Sequence, residues 1–504
     1  MTEKTNCGAR TKIVWTLSPK SFDEAPTVLA KKIVDFGVSG ILTVFVPERE
    51  HQYLELRKEL DKAFSACDGS NVGFLFSLVG RRAFLFVSDE QVSTAVGTSF
   101  EVHFVCDRNA CLNRLDPGVG LGLRVAVTND DMLVPLNVGS LVALGYGETE
   151  IVVKEIIERT NTSLKVKAEV SVAGALRSGM DVTSEVFPRG IFPLTSEDSS
   201  LLRGVIYDCA DAVIVHGASS GNDLRSVREC LGGRTLSKGG ADERVPPLLF
   251  SRVDSVRAMR AMNESFDIID GVFLNRSELG VGVHLHDLPF FQKNIISRCN
   301  RQGKTVIAAS DLLSSMHRNS TPTRAEVSDL ANLMLDGIDA VAIGREVTEG
   351  PHAELAARYC RETLTSSEST LAWEWRDVKI EIENDLDALA SGSFHAAQHC
   401  GAKAIVCMTR RGYTAARLSS LRPPIDVVAL TYNTKAKRQM NLMKGVRTLL
   451  VNSDIAVDSI FDSACEKLQQ TFGFEKGDRI VMVSLSTSSK AQKGSNFFLI
   501  EEFR

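Results

Sequence analysis

The chain has 504 residues, too many for a single hydrophobic core, and this length predicts two to four domains. Its 44% hydrophobic and 24% charged residues are ordinary for a soluble globular protein. A formal charge of -5 excludes a general attraction to nucleic acid or to acidic membranes. No apolar run reaches the roughly 18 residues that a membrane-spanning helix needs. From the charge and from the apolar runs together, neither nucleic acid nor a membrane is an expected partner.

The first residues and the cysteines predict a cytoplasmic protein. The opening MTEKTNCGARTK lacks the apolar core of a signal peptide. The 11 cysteines have no CxxC or CxxH spacing, so neither a zinc site nor a disulfide framework is expected. We expect buried or inert thiols in a reducing compartment.

Three short apolar runs, rich in β-branched residues, lie in residues 1–82. They are TKIVWTL from Thr11, SGILTVFV from Ser39 and VGFLFSL from Val72. Buried parallel strands have such continuous runs because both faces of the sheet are covered. This segment is predicted to form the first part of an α/β barrel.

Residues 83–189 have a different pattern, in which short stretches of alternating polarity are separated by turns. Examples are SFEVHFVCD, LGLRVAVTND, GSLVALGYGE and SLKVKAEV. Alternation of this kind is typical of antiparallel sheets with one solvated face. We predict an inserted β-barrel domain after the third barrel strand.

Five more apolar runs, separated by helical patterns, fall in residues 190–364. They are DAVIVHG, PPLLFSRV, DGVFLNR, KTVIAAS and DAVAIGR, and one intervening helix is predicted to end at Gly337. Eight strands in strand–helix alternation predict a TIM (β/α)8 barrel interrupted by the insertion.

A second α/β series lies in residues 365–504. The Ser-rich stretch TLTSSEST is predicted to be the join, and the strands are predicted at AKAIVCMT, IDVVALT, VRTLLVN and DRIVMVSL. The predicted fold is therefore an interrupted TIM barrel, an inserted β-barrel domain and a C-terminal α/β domain.

The octapeptide PTRAEVSD, residues 322–329, predicts a well-capped helix start. Thr323 has the side chain of an N-cap residue, and Glu326 three positions later completes a capping box. Arg324 is then left to reach a neighbour or another subunit.

This organisation and these motifs resemble pyruvate kinase. TKIVWTLSPKS is similar to the start of that family, GKTVIAASDLLSSM and NSTPTRAEVSDLANLMLDGIDAV to its strand seven and the helix after that strand, and GPHAELAARYC to the helix after strand eight. The resemblance covers the whole chain. It implies transfer of a phosphoryl group from phosphoenolpyruvate to ADP, with a divalent metal and usually potassium.

The resemblance places the candidate catalytic and metal-binding residues at strands five to seven. The family's KIEN is RVDS here, so its lysine becomes Arg252 and its metal-binding glutamate becomes Asp254. The family's ARGDLG is NRSELG here, which keeps Arg276 and replaces the metal-binding aspartate by Glu278. Ser310 keeps the hydroxyl of the family's threonine.

The two carboxylates have exchanged lengths, and this leaves two alternatives open. Mg²⁺ needs near-ideal octahedral geometry, and one methylene moves a ligand by roughly 1 Å. Either the exchanged pair compensates and holds Mg²⁺, or two solvated carboxylates hold no metal. Arg252 offers a planar fork for a phosphate or carboxylate, but it is not the compact point charge of a lysine.

Other residues of the family's site are missing from this chain. Val44, Val46 and Ser77 stand where the family has potassium ligands, so K⁺ is not expected. Phe84 replaces an arginine of strand three, for which Arg81 or Arg82 is a partial substitute. The DDG of the inserted domain becomes GYG at residues 145–147, without a carboxylate.

A candidate phosphate site resembles the family's effector loop more closely than the candidate catalytic site resembles the family's catalytic site. Hydroxyls, a glycine and arginines precede a helix, and backbone N–H groups at a helix N-terminus bind phosphate. A solvated basic turn is the alternative. The candidate residues are Thr409, Arg410, Arg411, Gly412 and Thr414, with Lys490 and Lys493 from a later loop.

The kept and the missing residues leave two functions open. The favoured one is a pyruvate-kinase homologue with strongly weakened or lost phosphoryl transfer. It acts as a regulatory partner of its own kind of subunit or of an active pyruvate kinase, and it keeps a site for a sugar bisphosphate or another phosphometabolite. The alternative is an active pyruvate kinase with a rearranged metal site.

Histidine and tryptophan positions are assigned to structural roles. The nine histidines, including His284 and His286, show no metal-ligand spacing on one helix face, so surface or helix-start positions are expected. Trp373 and Trp375 are expected to pack at a domain or subunit boundary.

Overall fold

The structure is a computed structural model, in which most of the chain is described. The described residues are 9–45, 49–65, 72–78, 83–87, 92–106, 123–127, 132–144, 149–176, 180, 182–184, 186–187, 192, 194, 196–232, 245–282, 286–371, 382–451, 468–484 and 496–503. The predicted roles of Val46, Arg81, Arg82, the GYG at 145–147, His284, Trp373, Trp375, Lys490 and Lys493 lie outside these residues.

The chain begins with three strands of a barrel and the helices between them. The elements are β1 Lys12–Thr16, a 3-10 helix Pro19–Asp23, α1 Pro26–Phe36, β2 Gly40–Val44, α2 Glu50–Ser65 and β3 Gly73–Leu78. Pro26 starts α1, where its missing N–H costs nothing, and Gly37 ends it in the left-handed conformation at φ 62°.

The insertion is mainly one curled sheet of seven strands in the order β12-β8-β9-β10-β6-β7-β4. Its longest pairing, β9 with β10, is antiparallel and contains β-bulges, which increase the local twist. The strand β9 is not among the examples named from the sequence. The strands are β4 Ala83–Phe86, β5 Val92–Ser93, β6 Ser99–Cys106, β7 Leu123–Val127, β8 Leu141–Leu144, β9 Thr149–Arg159, β10 Ser163–Val172, β11 Ala175–Leu176 and β12 Val182–Thr183.

The remaining five barrel strands and their helices come after the insertion. They are α3 Ser196–Arg203, α4 Val205–Cys209, β13 Ala212–Val215, α5 Gly221–Cys230, β14 Leu248–Val253, α6 Val256–Glu264, β15 Gly271–Asn275, α7 Arg276–Gly282, α8 Leu288–Arg301, β16 Thr305–Ala309, a 3-10 helix Ser314–His317, α9 Arg324–Asp336, β17 Ala340–Ile343, α10 Arg345–Thr348 and α11 Ala353–Leu371.

The eight strands close into a barrel in the order β1-β17-β16-β15-β14-β13-β3-β2, with parallel neighbours. Side chains of alternate positions fill its interior, for example Leu75, Ile214, Phe250 and Ile307. The predicted TIM barrel is confirmed, and all eight predicted runs contain one of its strands.

The predicted Ser-rich join between barrel and C-terminal domain is wrong, because TLTSSEST lies within α11. Serine lowers helix propensity only modestly, and tertiary contacts outweigh it. Leu364 is buried in the barrel core, and the Glu368 carboxylate accepts hydrogen bonds from the backbone N–H groups of Arg10 and Thr11. The division predicted at residue 365 therefore falls inside a helix.

The C-terminal domain is a five-stranded sheet in the order β20-β19-β18-β21-β22, of which the last strand is antiparallel. The four predicted strands are present, and the edge strand β22 is an addition. The elements are α12 Asp385–Cys400, β18 Ala404–Met408, α13 Tyr413–Ser420, β19 Asp426–Thr431, α14 Thr434–Met440, β20 Val446–Leu450, β21 Arg479–Ser484 and β22 Phe497–Glu502.

The C-terminal domain closes the end of the barrel where the strands begin. Leu442, just after α14, is fully buried in the same core as the barrel interior. A side chain on Gly40 would meet Leu442 at 2.9 Å, so the glycine permits this close approach. Arg438 pairs with Asp211 before β13 at 2.9 Å. We call this end the barrel bottom and the opposite end the barrel mouth.

The predicted capping box at α9 is confirmed. Thr323 accepts from the Glu326 N–H at 3.2 Å, and the Glu326 carboxylate accepts from the Thr323 N–H at 2.8 Å. Glu326 also accepts from Ser315, which ties the 3-10 helix to α9. Burial would raise the pKa of Glu326, but these hydrogen bonds outweigh it and lower the pKa.

Three buried cysteines have the inert character that the sequence predicted. Burial raises the pKa of Cys299, Cys360 and Cys407 to about 12, which favours the unreactive thiol over the thiolate. In the part of the chain that the structure describes, no helix is long and apolar enough to cross a membrane.

Candidate functional site

Three polar side chains enter the barrel mouth from neighbouring strand ends. Ile214 and Phe250 belong to the barrel interior, and side chains on a strand alternate between faces. His216 comes two positions after Ile214, and Arg252 and Asp254 continue the alternation beyond Phe250. The strand period therefore places these three side chains in the mouth.

The three side chains meet Glu278, which lies in the first turn of α7. Arg252 Nη2 donates to Glu278 Oε1 at 2.6 Å, and Arg252 Nε lies 3.2 Å from Asp254 Oδ2. His216 Nε2 lies 2.9 Å from the same Asp254 oxygen and 3.8 Å from Glu278 Oε2. The structure thus brings together the predicted Arg252, Asp254 and Glu278, and adds a histidine. We call these four residues the mouth quartet.

The charges in the mouth quartet stabilise each other against burial. Burial would lower the pKa of His216, but the Asp254 carboxylate contributes most to a net rise. Burial would raise the pKa of Asp254, but His216 and then Arg252 hold it below its usual value. Both shifts favour the charged forms, as expected for opposite charges in contact.

His216 corrects the prediction that histidines occupy surface or helix-start positions. Its side chain is only 13% exposed and contacts two carboxylates. Ligand spacing on one helix face does not reveal such a residue, because a barrel gathers its site from separate strands. The available signal was the position of His216 directly after a strand, on the side that faces the barrel interior.

The mouth quartet does not fit a Mg²⁺ ion as the family implies it. His216, Asp254 and Glu278 offer ligand atoms within 4.8 Å of one another. Mg²⁺ prefers oxygen ligands at about 2.0–2.1 Å in an octahedron. Here nitrogen atoms of Arg252 and His216 lie against the carboxylate oxygens that such an ion needs.

The other two predicted catalytic residues, Arg276 and Ser310, contact each other. Arg276 Nη2 donates to the Ser310 carbonyl at 2.8 Å, and Nη1 donates to Asp329 Oδ1 at 2.8 Å. Ser310 Oγ donates to Asn275 Oδ1 at 2.6 Å. Arg276 thus links the end of β16 to α9, through the last residue of PTRAEVSD.

The loop after β16 holds an unusual backbone conformation. Ser310, Asp311 and Leu313 have φ of 73°, 57° and 54°, in the left-handed region that side chains other than glycine rarely adopt. Such residues cost of order 1–3 kcal/mol each and cluster at functional sites. The loop is therefore a strained segment beside the barrel mouth.

The ends of β2 and β3 offer little to a cation. Ser77 is buried, and its Oγ has no hydrogen-bond partner among the described residues. The Val44 carbonyl accepts from the Tyr53 hydroxyl at 3.3 Å. Tyr53 packs against Phe45 and Phe76, with ring centroids 5.9 and 4.9 Å away.

The candidate phosphate loop in the C-terminal domain lies between β18 and α13. Thr409 Oγ1 accepts from the Gly412 N–H at 3.0 Å, which closes the turn. Gly412 is the N-cap residue of α13 with φ 85°, and a side chain there would meet Met440 at 2.8 Å. Thr414 is buried in the first turn of α13.

The two arginines of this loop take different directions. The Arg410 guanidinium donates to the Tyr432 hydroxyl and lies 5.7 Å from that ring. Arg411 and Gly412 line a cavity of about 500 Å³ between the barrel and the C-terminal domain, with Lys304 and Arg417 among its other walls. Thr409, Arg410, Arg411, Gly412 and Thr414 thus belong to one loop and helix start.

The fold is defined by a barrel whose mouth has carboxylates just after strand five and in the helix after strand six, a sheet inserted after strand three, and a C-terminal α/β domain. A family model described as "Pyruvate kinase, barrel domain" matches residues 9–356, and "Pyruvate kinase, alpha/beta domain" matches residues 387–500. The chain belongs to the pyruvate kinase family.

This chain is similar to pyruvate kinases at modest sequence identity. Pyruvate kinases of Staphylococcus epidermidis and Staphylococcus aureus are 28% and 27% identical over 364 residues, which are 72% of this chain and 60% of theirs. This chain thus spans about 60% of the length of these curated relatives. A pyruvate kinase structure from Cryptosporidium parvum matches with TM-score 0.75 and 20% identity, over 98% of this chain and 96% of that one.

Proposed function

We propose that this chain is a pyruvate-kinase homologue with strongly weakened or lost phosphoryl transfer from phosphoenolpyruvate to ADP. It serves as a regulatory or oligomer-partner subunit in the cytoplasm, and keeps a phosphometabolite site in its C-terminal domain. Its partner is a subunit of its own kind or an active pyruvate kinase. The observation that carries this proposal is the Arg252 guanidinium between the Asp254 and Glu278 carboxylates.

Phosphoryl transfer requires positive charge fixed against the transferred group. Negative charge builds up on the phosphoryl oxygens and on the leaving enolate, and metal ions and a cation neutralise it. In this chain the cationic residue, Arg252, is held by two carboxylates of its own site. Its charge is therefore balanced before any substrate arrives.

The strand ends on the other side of the mouth support the same proposal. Val44 has no ligand oxygen in its side chain, and Ser77 offers a buried hydroxyl where the family has a carboxylate. A monovalent cation would find little compensation for its lost hydration there. K⁺ activation is accordingly not part of the proposed function.

The test is a coupled assay with phosphoenolpyruvate, ADP, Mg²⁺ and K⁺. We expect turnover at least a hundredfold below the roughly 1–100 per second of ordinary kinases. Turnover within about tenfold of that range would refute the loss of activity. Co-purification of the tagged chain with an active pyruvate kinase, or a stable homo-oligomer in light scattering, identifies its partner.

The phosphometabolite site is tested by thermal shift with fructose 1,6-bisphosphate. Ligand at a hundredfold excess over Kd stabilises a protein by about 2.7 kcal/mol. We expect stabilisation of the wild type and its loss in Arg411→Gln, while the exposed-pair control Arg479→Gln keeps it. No shift with this sugar bisphosphate, glucose 6-phosphate or phosphoenolpyruvate would refute the site.

The second candidate function is an active pyruvate kinase with a rearranged metal site. It is favoured by the convergence of His216, Asp254 and Glu278, whose ligand atoms lie within 4.8 Å of one another. In this case Mg²⁺-dependent turnover survives in the coupled assay and disappears in Glu278→Gln. The favoured proposal predicts that this substitution changes no measurable rate.

A further inference from the structure

The mouth quartet forms a closed ring in which each carboxylate faces both nitrogen-bearing side chains. Asp254 Oδ2 lies 2.9 Å from His216 Nε2 and 3.2 Å from Arg252 Nε. The Glu278 oxygens lie 2.6 Å from Arg252 Nη2 and 3.8 Å from His216 Nε2.

Burial makes this ring energetically demanding. The side chains of Asp254, Arg252, His216 and Glu278 are 2%, 10%, 13% and 23% exposed. Charges at such sites persist only when they are compensated by close partners. Two carboxylates in contact with a guanidinium and an imidazole have that compensation without an ion from solution.

The ring also occupies the space that a divalent ion would need. An ion bound by both carboxylates must approach an oxygen of each, at about 2.0–2.1 Å for Mg²⁺. Asp254 Oδ2 is already contacted by two nitrogen atoms, and Glu278 is contacted at both oxygens. An ion at these oxygens would lie beside the Arg252 guanidinium, whose fixed positive charge would repel it.

We propose that Arg252 and His216 together replace the divalent cation, so that the barrel mouth of this chain holds an internal pair of organic cations between Asp254 and Glu278. The inference deepens the proposed loss of phosphoryl transfer and rests on it for its functional meaning. It adds a role for His216 and a reason why the two carboxylates persist without a metal: they neutralise the two basic residues.

A transition-metal site is the competing interpretation of the same residues. One imidazole and two carboxylates suit Zn²⁺ or Mn²⁺ better than Mg²⁺. However, Arg252 lies at contact distance from both carboxylates, and its fixed positive charge would repel a metal ion there. The ring therefore favours exclusion of these ions.

The experiment measures Mn²⁺ binding by electron paramagnetic resonance, in which bound Mn²⁺ loses the signal of the free ion. The purified full chain is compared with a double variant, Arg252→Lys with His216→Ser, which removes both replacement groups. His286→Ser, at an exposed histidine, is the matched control. Circular dichroism and thermal melting establish that each variant is folded, and Arg252→Lys alone is measured if the double variant is not.

We expect no stoichiometric Mn²⁺ binding by the wild type or by His286→Ser, and binding at least tenfold tighter in the double variant. One Mn²⁺ bound per wild-type chain and lost in Glu278→Gln would overturn the proposal. A folded double variant that binds no better than His286→Ser would also overturn it. Zn²⁺ titration by calorimetry compares the same wild type and double variant. Tight Zn²⁺ binding by the wild type that His216→Ser abolishes would overturn the proposal in favour of the transition-metal site.

These outcomes are separable from those of the coupled assay. Substantial turnover in a wild type that binds no Mn²⁺ refutes the proposed function, but it leaves intact the proposal that Arg252 and His216 replace the divalent cation. An inactive wild type that binds Mn²⁺ at the mouth quartet refutes the replacement of the divalent cation and leaves the proposed function intact. The two proposals therefore fail by different measurements.

Discussion

The barrel bottom and the barrel mouth both contain buried carboxylates beside arginines, but the carboxylates at the two ends differ in the hydrogen bonds that they accept. At the bottom, the Asp211 carboxylate accepts from Arg57 at 2.5 Å, from Arg438 at 2.9 Å and from the Phe74 N–H at 2.8 Å. At the mouth, both oxygens of Asp254 are buried without a hydrogen bond of good geometry among the described residues. It forms ion pairs with Arg252 and His216, at 3.2 and 2.9 Å.

This difference separates scaffold from site. A fully satisfied buried network rigidifies a structure, whereas an incompletely satisfied one costs free energy and persists where function once required or still requires it. The bottom joins two domains through Asp211, and burial there is matched by hydrogen bonds to three separate elements. The mouth also holds charges of both signs, in a geometry with fewer hydrogen bonds.

Three aspartates at the barrel bottom have equivalent positions and make the same kinds of contacts. Asp211, Asp270 and Asp339 each directly precede a barrel strand, and each carboxylate accepts a backbone N–H of the preceding strand of the barrel. Arginines also pair with all three. The N–H donors are Phe74, Leu249 and Val306, and the arginines are Arg57 and Arg438, Arg228, and Arg422.

Breaking the bottom should have the largest effect. Asp211→Asn removes the charge shared by the buried Arg57 and Arg438, and leaving buried charges unpaired costs about 3–5 kcal/mol. We expect the free energy of unfolding in urea to fall by that amount. Burial would raise the pKa of Asp211, but Arg57 and Arg438 outweigh it and lower the pKa.

The control is Glu24→Gln, which removes an exposed pair with Lys32. Exposed pairs contribute about 0–1 kcal/mol, so this variant should unfold like the wild type. Equal losses in the two variants would contradict the scaffold role of the bottom network.

A second prediction concerns pH at the same end of the barrel. Burial lowers the pKa of Lys444 from 10.5 to about 8, although Glu368 opposes the shift. Below pH 8 the lysine is charged in both states, so the folded state carries the full cost of the buried charge. As pH rises from about 8 to 10.5 the folded state loses the proton first, and this cost is relieved.

Lys444→Met should abolish this pH dependence. Between pH 7 and pH 9.5 the wild type should gain about 2 kcal/mol of unfolding free energy relative to the variant. Glu368 keeps its hydrogen bonds from Arg10 and Thr11 in the variant, so the fold should persist. Parallel stability curves for the two proteins, measured in urea at each pH, would disprove the role of Lys444.

Sequence periodicity predicted the barrel because buried parallel strands leave a local signal. Each of the eight runs was continuous and apolar, and the structure closes them in one barrel. The extended β9 and the edge strand β22 were not named from the sequence because their exposed faces carry charges, as in TEIVVKEIIER. The helical course of TLTSSEST was missed because it depends on burial against the barrel, which composition does not reveal.

The site was predictable only in part for a related reason. The resemblance supplied Arg252, Asp254 and Glu278, whose proximity the structure supports. It supplied no role for His216, because no motif marked it and its partners lie on other strands. A search for polar residues just after a strand, at positions whose side chains face the barrel interior by strand alternation, would have selected His216. The direction of Arg276 toward Asp329 depends on side-chain packing between α7 and α9, which no local pattern encodes.

The smallest effect is expected at the mouth, from the same aspartate-to-asparagine change as at the bottom. Asp254→Asn removes the ion pairs of a buried carboxylate, but the His216 imidazole, whose pKa Asp254 raises, can then lose its proton, which the arginines beside Asp211 cannot do. Arg252 keeps its hydrogen bond to Glu278. We expect urea unfolding to change by less than about 1 kcal/mol, a small value for a buried position. A loss equal to that of Asp211→Asn would show that the quartet stabilises the barrel as much as the bottom network does, and the distinction between site and scaffold would fail.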